Sequence, residues 1–127
     1  MYMSYKFEEN DNYLVIYLEG QYIGGEETDK LASFLKTLRK NNKNKIILDL
    51  EKVTYLSSIV LGLFIKLNNE IKNIDGTLIL INVNSTIMEI FKITQIDSSL
   101  HILKDLNEVN LYFTNCEKSN ILKTTNS

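Results

Sequence analysis

Two adjacent hydroxyls, Ser57 and Ser58, stand between a strand-like run and a helix-like run. The run Ile46-Ile47-Leu48-Asp49-Leu50 is β-branched and apolar enough for a buried strand, while residues 59–74 have the length and apolar spacing of a helix. A hydroxyl at such a junction can cap the helix or accept a phosphoryl group. The first backbone N–H groups of a helix have no internal partner and carry the positive end of its dipole, so a capping oxygen or a phosphate is favoured there on both counts. By position alone, a serine before a helix is a cap. With Ser57 as the N-cap, Leu56 and Leu61 fall at the spacing of a hydrophobic staple. Ser58 then takes the first helical position, where its side chain can point outward.

Other residues with chemical potential are few. His101 is the single histidine, sits at an expected strand start and has no second ligand at a recognisable spacing, so no catalytic or metal role is expected. The single cysteine, Cys116, excludes an internal disulfide, and its polar neighbours suggest a surface thiol. There is no glycine-rich phosphate loop and no HExxH, and Gly24-Gly25 alone do not make a nucleotide site. Neither an enzyme nor a cofactor is expected. Asp49, near the end of its strand, is expected to hydrogen-bond the junction loop, because polar groups in buried strands must be satisfied.

The elements that would hold the serines follow from composition and periodicity. A chain of 127 residues, 44% hydrophobic and 24% charged, suits one globular domain. Its 14 basic and 16 acidic residues give a net charge of −2 with no basic stripe, which argues against nucleic acid. The longest apolar run, Ile59 to Ile65 around Gly62, is too short to cross a bilayer, and residues 1–10 lack a signal peptide's apolar core. A cytoplasmic protein without membrane insertion is expected. Lys6 to Glu9 and Tyr13 to Leu18 read as a hairpin of strands. Leu31, Phe34, Leu35 and Leu38 make Glu26 to Lys40 an amphipathic helix, acidic in its first turn and basic in its last. There follow a strand at 45–50, a helix at 58–73, a turn at Asp75-Gly76 and a strand from Thr77 to Asn82. Thr86 and Glu89 have capping-box spacing for a short helix, His101 to Leu103 reads as a last parallel strand, and Asp105 and Glu108 start a helix through Phe113. The domain is thus expected to occupy 1–113, with a polar, disordered tail at 114–127. Strands alternating with helices argue for an α/β layer built through right-handed crossovers.

The element order, the run Asp49-Leu50-Glu51-Lys52-Val53, the junction Tyr55-Leu56-Ser57-Ser58 and the later Asn82-Val83-Asn84 together resemble the STAS domain of bacterial anti-sigma factor antagonists, from about Tyr13 to Leu103. The resemblance implies an α/β fold: a single STAS-like domain with a mixed, mostly parallel sheet of four to five strands and helices packed mainly on one face. In the family the junction usually reads Asp-Ser, then Ser, Thr or Ala, then Gly-Leu-Gly, and the serine after the Asp is phosphorylated by a partner kinase. Matching Leu61-Gly62 to that Leu-Gly carries the phosphoacceptor onto Ser58, with Ser57 as the alternative. Two departures from the pattern matter. Ser57 replaces the Asp, which caps a helix about as well and removes a like charge beside a phosphate of roughly −1.5 to −2. Val60 replaces a Gly and is expected to add bulk where a partner approaches. In the preceding loop, Ile23 is apolar where the family often has an acidic kinase contact, with Glu26 and Glu27 nearby. The implied partner surface is Ser57, Ser58, Ile59, Val60 and Gly62, with Ile23.

The mechanism implied is partner switching. The unphosphorylated domain would bind an anti-sigma factor that is also an ATP-dependent serine kinase and so release the sigma factor; phosphorylation of Ser58 would end the contact and a serine phosphatase would reset it. A dianion in an apolar interface meets a desolvation cost, and a coupling of about 1–3 kcal/mol suffices for a switch. The alternative is a domain with a degenerate junction, serving unphosphorylated as a structural or ligand-binding subunit of a larger complex; Val60 is the residue that favours it.

Overall fold

A computed structural model describes residues 4–10, 12–22, 26–40 and 44–125. The elements run β1 (Ser4–Glu9), β2 (Leu14–Tyr22), α1 (Glu26–Lys40), β3 (Lys45–Leu56), α2 (Ser58–Lys72), β4 (Thr77–Ile81), α3 (Ser85–Ile93), β5 (His101–Ile102) and α4 (Leu106–Thr125). The strands form one sheet whose spatial order, β1-β2-β3-β4-β5, is the order along the chain. β1 pairs with β2 antiparallel, as a hairpin must, and every later pair is parallel because a helix carries the chain back across the sheet. The expected single domain with a mixed, mostly parallel sheet is the fold observed.

β3 is longer than the expected 45–50, and the reason lies in its ladder with β2. The register slips twice: Tyr17 and Glu19 stand opposite Asp49 and Lys52, then Gly20 and Gln21 opposite Val53 and Tyr55. Each slip inserts an extra residue into β3, as a bulge does. Alternation is lost, so Glu51-Lys52 and Thr54-Tyr55 are exposed as adjacent pairs between the buried Leu50, Val53 and Leu56. A period-two pattern ends at the first bulge although the strand does not.

The core lies on both faces. On one, Leu31 and Leu35 of α1, Phe64, Leu67 and Ile71 of α2, and Ile87 and Phe91 of α3 pack with Ile16, Leu18, Leu48 and Leu80 of the sheet. On the other, Val109 and Phe113 of α4 pack with Tyr13, Val15, Ile47, Ile79 and Ile81. Tyr13 and Phe113 stack at 5.7 Å between ring centres, and the Tyr13 hydroxyl donates to Asn110 Oδ1 at 2.8 Å.

Two helix boundaries differ from expectation. α3 is capped by Asn84, whose Oδ1 accepts from Ile87 N at 3.0 Å, and not at Thr86; Thr86 lies within the first turn. Asn is among the strongest capping residues, and its position two residues earlier gives α3 a further half turn. α4 continues through Thr125, so the boundary expected after Phe113 falls inside a helix and the stretch expected as a disordered tail is, to Thr125, helical. Asp105 Oδ1 accepts from Glu108 N at 3.1 Å and fixes the first turn. Propagation then adds one hydrogen bond per residue ordered, and no Gly or Pro interrupts residues 106–125. Lack of apolar periodicity there removes a packing face without removing the helix.

Candidate functional site

The serine turn sits where β3 hands over to α2. Ser57 has extended backbone (φ −79°, ψ 166°), and its side chain accepts from Val60 N at 3.4 Å, the geometry of an N-cap. Its own N–H donates to Tyr22 O at 2.8 Å, so the turn is tied to the end of the neighbouring strand. Leu61 N donates to Ser57 O at 3.0 Å and closes the first helical turn. Leu56 and Leu61, the expected staple pair, are both buried in the same core cluster.

Ser58 is the first residue of α2 and is exposed. Ile59 is 65% exposed, unusual for so large an apolar side chain, and Gly62 shares this side of the helix one turn later. A β-carbon placed on Gly62 would meet no atom within 4 Å, so the surface there is open to close approach. Among the described residues no side chain hydrogen-bonds Ser58 Oγ, and no acidic residue stands in the first turn of α2. The hydroxyl is therefore presented in the positive field of the helix end without a neighbouring base to activate it.

Val60 corrects the sequence reading. Its side chain is 0% exposed and belongs to the core, so it adds no bulk toward a partner. The reason is helical period: Val60, Phe64, Leu67 and Ile71 form one buried stripe at spacings of four, three and four. Ile23 lies outside the described residues. Glu26, at the start of α1, is exposed and forms an ion pair with Lys30 at 3.4 Å. Tyr55, 46% exposed just ahead of the turn, was not anticipated; the bulge that turns it outward is the signal that was missing.

Behind the turn lies a polar scaffold. Asp49, 6% exposed, accepts from Glu51 N and from Asn82 Nδ2, each at 2.9 Å, and so braces the first bulge of β3 against the end of β4; these partners replace the expected bond to the junction loop, which lies too far along β3. Asn82 adopts φ 53°, a left-handed conformation that Asn tolerates better than most residues. Opposite Asp49 in the ladder, the Tyr17 phenol is held above its usual pKa by burial first and by the Glu8 and Asp49 carboxylates next. Asn84 serves two elements: its Oδ1 caps α3, and its Nδ2 donates to Val53 O at 2.8 Å, four residues before Ser57. The start of α3 is thereby fastened to the strand that aims the serine turn.

Among the described residues no group of three or more His, Cys, Asp or Glu is placed to hold a metal ion, and no described helix is long and apolar enough to cross a membrane. The arrangement can bind a surface and can receive a group on Ser58.

Comparison with known proteins places this geometry. The model of the STAS domain family matches residues 4–109. Among solved structures, an anti-sigma factor antagonist from Mycobacterium paratuberculosis superposes with a TM-score of 0.75 at 14% identity, over 87% of this chain and 92% of that one. An anti-sigma factor antagonist from Thermotoga maritima, described as putative, gives 0.72 at 21% identity, over 85% and 92%. The Bacillus cell fate determinant SpoIIAA in its phosphorylated form gives 0.67 at 17% identity, over 86% and 99%. These neighbours share the fold, and the family match spans both bulges, the serine turn and the Asn82 to Asn84 scaffold: the chain belongs to the STAS domain family.

Proposed function

We propose that this protein is an anti-sigma factor antagonist, itself not an enzyme, that binds an anti-sigma factor/serine kinase and is switched off by phosphorylation of Ser58. The observation that carries the reading is the division of labour at the turn: Ser57 spends its hydroxyl on the cap, which leaves Ser58 exposed beside Ile59 and the open surface over Gly62. The fold neighbours described as anti-sigma factor antagonists support it, as does the Bacillus cell fate determinant SpoIIAA in its phosphorylated form.

The unphosphorylated surface docks through Ile59 and the smooth patch at Gly62. In the bound complex the kinase transfers the γ-phosphoryl group of ATP to Ser58 Oγ; the hydroxyl proton leaves and ADP is released. The phosphate sits at a helix start, where the dipole and unpaired N–H groups stabilise it by about 0.3–1 kcal/mol, so the modification leaves the fold intact. What changes is the surface: burying a charge of roughly −1.5 to −2 beside Ile59 carries a desolvation cost that an apolar interface does not repay. Hydrolysis of the ester by a serine phosphatase restores the docking surface. These exchanges belong in the cytoplasm, where transcription is controlled. Val60, the residue that favoured a degenerate, unphosphorylated subunit, is buried in the core and stands outside this docking surface.

Intact-mass spectrometry on protein from its native cells, with peptide mapping across residues 46–72 and a Ser58→Ala control, tests the proposal. The expected result is a gain of about 80 Da on Ser58 that the control lacks, the mass of one phosphate ester. An unmodified mass in every growth state, or phosphate on Ser57 alone, overturns it.

A further inference from the structure

The far end of α2 holds a second cluster of polar groups that the serine turn does not use. It lies about 21 Å along the helix from Ser58, taking a rise of about 1.5 Å per residue. There the last turns of α2, the start of β4, the loop before β5, β5 itself and α4 line a cavity of about 360 Å³ that is open to solvent on one side, within the range of small-molecule sites. Its polar lining is Lys72, His101, Asn68, Ser98, Ser99 and Thr77, with Tyr112 on one wall. Among the described lining residues there is no carboxylate, in a chain whose acidic residues outnumber its basic ones.

The walls are held in place. Asn68 is 3% exposed, and its Nδ2 donates to Ser99 O at 3.0 Å, fixing the loop that carries both serines. The His101 ring packs edge-on against Tyr112, 4.7 Å between centres at 78°, which sets the plane of the imidazole. Burial first, and the Lys72 ammonium second, keep that imidazole below its usual pKa. Two groups able to carry positive charge thus face one cavity with hydroxyl and amide donors around them and no acid opposite, an arrangement that an anion between them relieves.

We propose that this cavity binds a small phosphate-bearing molecule, with Lys72 and His101 as its cationic contacts and the hydroxyls of Ser99 and Thr77 as hydrogen-bond donors to its oxygens; the Ser98 hydroxyl donates to Gln95 O at 3.4 Å. The site is independent of the role assigned to Ser58. A bound dianion favours the protonated imidazole, so occupancy raises the titration midpoint of His101; the other titratable groups facing that ring are Lys72 from α2 and Tyr112 from α4.

His101 is the chain's single histidine, so its ring signals in a proton NMR spectrum of the full-length protein are unambiguous. The ring is titrated at constant ionic strength in sodium chloride, in inorganic phosphate and in adenosine monophosphate. The expected result is a saturable change with phosphate and a midpoint raised by about half a unit or more. In Lys72→Gln, whose amide spectrum checks the fold, apparent affinity falls by about tenfold or more. Equal affinity for phosphate and the nucleotide identifies a site for the phosphoryl group alone, whereas tighter binding of the nucleotide identifies a ligand that also uses the Tyr112 wall; either outcome supports the proposal. A response matched by chloride, no saturable response to either ligand up to roughly 20 mM, or wild-type affinity in Lys72→Gln overturns it.

Discussion

Asn84 divides one amide between two elements, which makes its two halves separable by substitution. Asp at this position keeps an oxygen to cap α3 but has no donor for Val53 O, and it sets a carboxylate beside that carbonyl. Asn84→Asp is expected to lower unfolding stability in urea by about 1–2 kcal/mol, the cost of leaving a buried acceptor unpaired; unchanged stability would mean that the Nδ2 bond does not hold the strand. His101 supplies a pH dependence. Its folded-state pKa lies below the 6.5 of a free imidazole, through burial and then Lys72. Between the two values the unfolded chain binds a proton that the folded chain does not, so stability rises with pH across that window and is lost as pH falls from about 6.5 toward the folded value. Urea midpoints collected in a buffer free of phosphate should show this slope below about pH 6.5 in the wild type and a flatter one in His101→Gln. An identical slope in the two proteins would exclude His101 as its source.

At the scale of elements, α2 turns one stripe to the core and another to solvent, and the two should respond oppositely to truncation. Val60→Ala removes two methyl groups from a fully buried site and should cost about 2 kcal/mol in thermal or urea unfolding. Ile59→Ala should change stability by less than about 0.5 kcal/mol, because the side chain is mostly in water. If the proposed docking surface is correct, Ile59→Ala also weakens binding of the anti-sigma factor about tenfold or more, as measured by calorimetry, while Val60→Ala at a temperature where it is folded does not. The legibility of the sequence follows the same division. α1 was readable with both ends because Leu31, Phe34, Leu35 and Leu38 keep a helical period and the charges match the dipole. The serine turn was readable because a cap, a staple and a switch of period coincide within a few residues. Val60 was misread because its place in the family pattern was weighed ahead of its phase with Phe64 and Leu67. The far half of β3 was hidden by bulges, which break alternation through pairing with β2 that no local window contains. The Asp49, Asn82 and Asn84 scaffold joins residues more than thirty positions apart, so only Asp49's general need for a partner could be foreseen. The cavity at His101 was invisible for the same reason, since it takes residues from α2, β4, β5 and α4.

At the scale of the whole molecule, three helices cover one face of the sheet and α4 crosses the other, with the serine turn and the His101 cavity at opposite ends of α2. Because strand order in space repeats strand order along the chain, each new strand docks on the edge left by its predecessor and none has to be inserted between two already paired. A chain emerging from a ribosome, N-terminus first, can therefore complete its ladders in the order in which they are made, with one growing edge exposed at a time. The sequence contains no proline, so no prolyl isomerisation delays that growth. Refolding followed by stopped-flow fluorescence of the tyrosines should lack a phase of about 10–100 s, and a double-jump experiment with varied unfolding times should leave the amplitudes unchanged. Such a chain can present its serine surface to a partner soon after synthesis, with the rate set by closing the parallel crossovers.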